Sequence, residues 1–187
     1  MMNDLVRNVL TRRSVRNFDA RQISDFELNV IIEAGQFLSE GKEDPLWHFT
    51  VIQNAAVLKR VEEVSIRFLP HNGQDHMKEM HGGARFSLFG NAPTMIIISG
   101  RRRDAEMQDA ASIAFGNMML AADNIGVSAG WTHSVEMLFK RPEGAEIIRE
   151  IGIPEDYAPM SAGVFGYKEK AAMELTIFNH SMVHIIR

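Results

Sequence analysis

The chain has 187 residues, 45% of them hydrophobic, with no cysteine and a formal net charge of −4. That is the length of one domain with room for a core that needs no staples. The missing cysteines exclude a disulfide framework and a thiolate metal site and fit a reducing cytosol, while the acidic balance argues against nucleic acid as the partner of the whole surface. No apolar stretch approaches the ~18 residues that span a bilayer, and Met1 to Asp4 precede no signal-like apolar run, so a soluble, cytoplasmic protein with no membrane partner is expected.

Leu5, Val6, Val9 and Leu10 fall on one helical face and predict a short helix over residues 4–11. Arg12-Arg13-Ser14-Val15-Arg16 follows at the turn that leaves it. Guanidinium groups present planar forks of donors that match phosphate, and a serine hydroxyl adds a neutral one, so this cluster reads as a phosphate receptor. Ser24 and Glu27 form a capping-box signature for a second helix, with Phe26, Val30, Ala34, Phe37 and Leu38 at helical spacing. After a break at 41–45, Trp47, Phe49 and Val51 alternate with His48 and Thr50 as a strand does. Val57, Val61, Val64 and Phe68 make a third helical stripe. Residues 70–90 are polar and show no sustained period; they read as a long excursion with a short helix near 75–80.

Met95-Ile96-Ile97-Ile98 lies in a strand over 93–100 that is covered on both faces. Residues 104–125 form the strongest helix, apolar nearly all round in its second half, which requires burial on most sides. Gly126 stops it, and 127–132 is a short strand or extended turn. Pro142 sits near the start of a helix that runs to Gly152, 160–167 is a last strand, and 176–187 is an apolar tail with no core face of its own. Helices alternate with strands, so the class is mixed α/β with one sheet covered by helices.

Seven histidines raise the question of a metal. His71, His76 and His81, spaced by five, wind round a helix instead of lining one face, and no His-Glu-x-x-His or two-His, one-carboxylate cluster is present. There is no Gly-x-Ser-x-Gly elbow, no Gly-x-Gly-x-x-Gly and no Walker loop. Arg101-Arg102-Arg103, after the apolar strand, reads as a solvated loop.

Taken together, four stretches resemble the FMN-dependent nitroreductase family. Arg12-Arg13-Ser14-Val15-Arg16 is similar to its Arg-x-Ser-x-Lys/Arg motif; Leu38-Ser39 through Pro45, Trp47 and Phe49 to its Pro-Ser-x-x-Asn-x-Gln-Pro-Trp-x-Phe segment. Asn91-Ala92-Pro93 leads into a strand as in the family, and Asn117 to Trp131, with Leu120-Ala121-Ala122 and Ile125-Gly126, resembles its long helix, Leu-Gly turn and following loop. The resemblance runs from about residue 5 to 167. It implies an α+β sandwich with a central, mainly antiparallel sheet covered by helices. It also implies a homodimer with FMN at the subunit interface and a domain-swapped C-terminal tail, from about residue 174, over the partner.

By position, the resemblance gives Arg12 and Ser14 the FMN phosphate, with Arg13 assisting, and sets Arg16 at the flavin N1 and O2 edge. Ser39 and the region of Lys42 would touch the ring or ribityl chain, and Thr132, His133 and Ser134 would turn backbone N–H groups to flavin N5 and O4. Lys168 or Lys170 would stand in for the family's later basic phosphate ligand, where Met173-Glu174-Leu175 replaces the usual arginines. The Asn-x-Gln-Pro-Trp segment departs here to Lys42-Glu43-Asp44-Pro45-Leu46-Trp47, with one extra residue before the tryptophan.

The activity implied is ping-pong hydride transfer from NAD(P)H through flavin N5 to a small electrophilic acceptor: a nitroaromatic, quinone or enone. The cofactor carries that chemistry, so no catalytic side chain is assigned. Two other readings stand beside it. One is a specialised flavin enzyme of this fold, dehalogenating or cleaving flavin. The other is a non-catalytic phosphate-ligand or nucleic-acid binding module built on Arg12–Arg16 and Arg101–Arg103, against which the net acidity argues.

Overall fold

A computed structural model describes residues 3–37, 47–67, 87–101, 107–132, 135, 138–139, 141–169 and 184–186. The elements run α1 (Asp4–Thr11), α2 (Asp25–Gln36), β1 (Trp47–Ile52), α3 (Ala55–Arg67), β2 (Thr94–Arg101), α4 (Met107–Asn124), β3 (Ser128–Trp131), α5 (Pro142–Glu150) and β4 (Tyr157–Gly166). The helix expected near 75–80, the break at 41–45 and the tail from 176 to 183 lie outside the described residues.

The strands form one sheet in the order β1-β2-β4-β3, and each described pair is antiparallel. The register runs Trp47↔Gly100 to Ile52↔Met95, Thr94↔Phe165 to Arg101↔Tyr157, and Ser128↔Gly166 to Trp131↔Gly163. β2 is central, which is why its residues 94–100 are all buried and its sequence is a continuous apolar run and not an alternation. Met95 and Ile97 face a layer with Leu58 and Val61 of α3 and Ile147 and Ile148 of α5. Ile96 and Ile98 face the other layer, with Ile31 of α2 and Ala111, Ala114, Phe115 and Met118 of α4. Fully burying a side chain such as Ile97 or Met118 contributes about 1.5–3 kcal/mol relative to exposure.

The caps follow the sequence. Asn3 accepts from the Leu5 N–H at the start of α1. Ser24 and Glu27 make the predicted capping box, and Asn54 accepts from the Ala56 and Val57 N–H groups ahead of α3. Gly126 and Gly152, at φ +83° and +75°, follow the ends of α4 and α5, where a side chain would be strained.

Two helices turn differently from their simplest reading. In α2 the ends of the stripe, Phe26 and Phe37, are exposed, Val30 and Ala34 between them are half-buried, and the buried positions are Ile31 and Gly35. Glycine decides this: a Cβ on Gly35 would lie 2.8 Å from Met118 Sδ, so its absence lets α2 close on α4. In α1 the apolar face, Leu5, Val6, Val9 and Leu10, points outward and the buried residue is Asn8. Ile113 of α4, on a helix expected to be buried nearly all round, is likewise exposed. Among the described residues no helix is long and apolar enough to cross a membrane.

Candidate functional site

Arg12 is the residue that ends α1, its N–H donating to the Asn8 carbonyl at 2.8 Å. The chain then leaves the helix and runs along the outer edge of β3. The Val15 N–H donates to the Ala129 carbonyl at 2.9 Å, and Gly130 lies so close to the Val15 carbonyl that a Cβ there would stand 2.5 Å from it. The Phe18 N–H donates to the Gly90 carbonyl at 2.8 Å. Gly90, at φ +61°, sits against the Arg16 carbonyl where any side chain would overlap it. Val15 and Phe18 are buried between these contacts, while the side chains of Ser14, Arg16 and Asn17 beside them are exposed.

The candidate ligands lie on this segment. Arg12 and Arg13 are half-buried; Ser14 and Arg16 are exposed. Arg13 Nη1 donates to the Leu10 and Arg12 carbonyls, at 3.1 and 2.8 Å, which fixes the direction of its guanidinium. Arg12 Nη1 and Arg13 Nε are buried without a hydrogen-bond partner among the described residues. Buried donors of this kind are rare unless something else pairs with them. No ion pair among the described residues engages Arg12, Arg13, Arg16 or Lys168, although four other pairs form on the surface.

Lys168 reaches the same segment from the far end of the chain. It pairs with Phe18 in an isolated antiparallel bridge, flanked by Asp19 N–H to the Tyr167 carbonyl (2.7 Å) and Glu169 N–H to the Asn17 carbonyl (3.2 Å). Thr132 follows β3 directly. Its N–H, expected to face a ligand, instead extends the sheet by donating to the Ala162 carbonyl at 3.0 Å. The polar group it leaves open is its hydroxyl, buried without a partner among the described residues. Ser39, Lys42, His133, Ser134 and Lys170 lie outside the described residues, as do Arg102 and Arg103; Arg101 ends β2 and is exposed.

Sequence reasoning missed the glycines that seat the loop and the cluster behind it. Tyr167 Oη donates to both carboxylate oxygens of Glu27, at 2.8 and 2.7 Å, and the Arg21 guanidinium carbon lies 3.5 Å from the centre of the Tyr167 ring. The capping box was the available signal, since it fixes where the Glu27 carboxylate must be; that a tyrosine 140 residues away would reach it was not.

A family model described as the nitroreductase family matches residues 9–167. The chain belongs to the nitroreductase family. A relative from Archaeoglobus fulgidus, named NADH dehydrogenase/NAD(P)H nitroreductase, is 30% identical over 174 residues, 89% of this chain and 86% of that one. The crystal structure of a nitroreductase with bound FMN from Bacteroides fragilis is similar over 100% of both chains, with a TM-score of 0.85 and 26% identity. An iodotyrosine deiodinase structure with FMN and 3-iodo-L-tyrosine shares the fold alone, at TM-score 0.73 and 14% identity over 98% of this chain and 97% of that one. Membership of the nitroreductase family accounts for the α+β architecture with its antiparallel sheet.

The residues present fit FMN. A dianionic phosphate needs fixed cationic donors without competing carboxylates, and Arg12 and Arg13 offer buried, unmet ones on a loop pinned at both ends. The ring system needs polar atoms farther along the same edge, and the Thr132 hydroxyl is one.

Proposed function

We propose that this protein is an FMN-dependent oxidoreductase of nitroreductase type, a single-domain chain acting as a homodimer. When bound, FMN supplies transfer of hydride from NAD(P)H to an electrophilic acceptor such as a nitroaromatic, a quinone or an enone. The observation that carries the reading is the arginine loop, with its unmet buried donors on a backbone fastened to Ala129 and Gly90. Arg12 and Ser14 hold the phosphate and Arg13 supports them, with Lys168 or Lys170 adding a cation. Arg16 places a positive charge at the pyrimidine edge of the ring, where reduction develops negative charge. By the family resemblance, Thr132, His133 and Ser134 serve flavin N5 and O4, and Ser39 and Lys42 the ring or ribityl chain.

Dimerisation is supported by the surface. Leu5, Val6, Val9 and Leu10 of α1 and Ile113 of α4 are all roughly half exposed, an arrangement that a second copy of the chain would cover. The apolar tail, expected to cross to the partner, belongs to the same scheme.

The test is direct. The purified protein should be yellow and release FMN on denaturation, and it should oxidise NADH or NADPH when offered nitro, quinone or enone acceptors. A colourless protein that takes up no FMN would refute the reading. A flavin-loaded protein that turns over none of these acceptors would turn it toward the specialised dehalogenating or flavin-cleaving branch.

A further inference from the structure

Tyr167 is held from three sides by the segment that follows the arginine loop. Its carbonyl accepts the Asp19 N–H at 2.7 Å, Arg21 stacks on its ring at 3.5 Å, and its hydroxyl donates to Glu27 at 2.7–2.8 Å. Asp19 and Arg21 are themselves joined by a tight turn, Arg21 N–H to Asp19 Oδ1 at 2.8 Å. Glu27 is anchored in turn, since its carboxylate accepts the Ser24 N–H and hydroxyl, both at 2.7 Å, at the start of α2. One residue, through its carbonyl, ring and hydroxyl, therefore ties the exit of β4, the segment after the arginine loop and the cap of α2 together.

The helix cap does not need this tie. Ser24 and Glu27 complete a capping box between themselves. What the phenol adds is a charge-assisted bond from Glu27 to the one residue whose carbonyl fixes Asp19. Among the described residues the loop beyond Arg12 has four backbone fasteners: Ala129 at Val15, Gly90 at Phe18, Tyr167 at Asp19, and Glu169 at Asn17. The first two are backbone contacts of the sheet edge and its neighbouring turn. The third is a backbone contact too, but its acceptor belongs to a residue whose side chain is itself anchored, by Glu27 and Arg21, away from the candidate ligands and next to Lys168.

We propose that Tyr167, acting through Glu27, Arg21 and Asp19, is a positioning residue that sets the arginine loop and Lys168 for the phosphate of the bound flavin. The inference rests on the FMN reading above and goes beyond it, because it assigns phosphate selectivity to a residue outside the phosphate site. Loosening Tyr167 blurs the fixed spacing of the guanidinium groups, which costs a ligand that uses them and spares one that does not.

FMN and riboflavin differ only in the phosphate, so their affinities separate this role from a general loss of stability. Full-length protein stripped of flavin is titrated with each, following flavin fluorescence, for the unaltered chain, Tyr167→Phe and Glu27→Gln. Tyr167→Phe should weaken FMN on the order of tenfold and riboflavin by less than about twofold, the size expected for one charge-assisted hydrogen bond. Glu27→Gln keeps a capping-box residue and makes the phenol bond neutral, so its FMN loss should be smaller and in the same direction. Equal weakening of both flavins, or no change in either, overturns the proposal, whatever the melting temperature does. Should Tyr167→Phe fail to fold, Glu27→Gln alone decides by the same criterion. If the unaltered protein binds neither flavin, the FMN reading falls and takes this inference with it; if it prefers FMN and both variants keep that preference, only the inference falls.

Discussion

Gly130 lies directly beneath the Val15 carbonyl, at a distance where a Cβ would stand 2.5 Å from the oxygen. The neighbouring hydrogen bond from Val15 N–H to the Ala129 carbonyl fixes the loop in the plane of the sheet edge, so neither chain can yield without breaking it. Gly130→Ala should therefore displace the arginine loop. It should lower stability by about 1–3 kcal/mol, the usual cost of overpacking, and reduce FMN affinity more than tenfold. Urea unfolding and flavin titration measure the two; unchanged FMN affinity would mean that the seat of the loop does not matter.

Arg12 and Arg16 should separate. Arg12 has an unmet buried donor and Arg16 is exposed. Arg12→Ala should weaken FMN by roughly 10- to 100-fold, the worth of a charge-assisted phosphate contact, with little change in reduction potential. Arg16→Ala should do the reverse, lowering the potential by removing a cation from the edge that gains charge on reduction. Equilibrium titration and spectroelectrochemistry read the two quantities independently.

The outward face of α1 makes a prediction about assembly. Val9 is 52% exposed in one chain, so Val9→Glu should be within about 0.5 kcal/mol of neutral for a monomer. In a dimer built on that face it places an unpaired charge in the contact. Sedimentation should show dimers for the unaltered protein and monomers for the variant, with unchanged circular dichroism. A monomeric unaltered protein would rule the assembly out.

The Tyr167–Glu27 pair sets a pH window. The Glu27 carboxyl is held below its ordinary 4.5, first by the Ser24 hydroxyl and further by the Ser24 N–H, Tyr167 and Arg21, against the opposing effect of burial. The Tyr167 phenol is raised above its ordinary 10.0, first by its bond to Glu27 and then by burial. A lowered carboxyl contributes fully above its unfolded pKa and loses that contribution as pH falls through the folded one; a raised phenol contributes fully below its unfolded pKa and loses it as pH rises through the folded one. The difference in melting temperature between the unaltered protein and Glu27→Gln should thus be flat from about pH 5 to 9 and close below about pH 4.5. A gap that persists undiminished at pH 3 would contradict it.

Phe115 joins the sheet to α4. It is fully buried, with ring centres 5.2 Å from Trp131 and 5.7 Å from Phe165, and Gly163 leaves the space its ring fills. Phe115→Ala should cost about 3–5 kcal/mol in denaturant unfolding.

Much of this was legible in the residues. The central position of β2 followed from Met95 to Ile98, because only a strand covered on both faces can bury four consecutive large side chains. The cap at Ser24 and the stop at Gly126 are local chemistry and were readable as such. The arginine loop was recognised by composition and neighbours. What periodicity could not give is the direction of a face. Phe26 and Phe37 share a stripe with helical spacing, yet Gly35 chose the other side by admitting Met118, a contact between helices that no single helix records. Nor does one segment show that the Thr132 N–H extends the sheet to the Ala162 carbonyl, a pairing between distant parts of the chain.

α1 is turned inside out, and the residue that caps its C-terminal end is Arg12. The helix that needs a neighbour is thus the same rigid lever that aims Arg12, the proposed phosphate ligand. In the proposed dimer, flavin retention becomes a function of protein concentration: below the point where subunits separate, the lever loses its backing and the cofactor should leave with it. Simple dilution should then release flavin, read as a rise in free-flavin fluorescence, and adding back more chain, with no extra flavin, should reverse it.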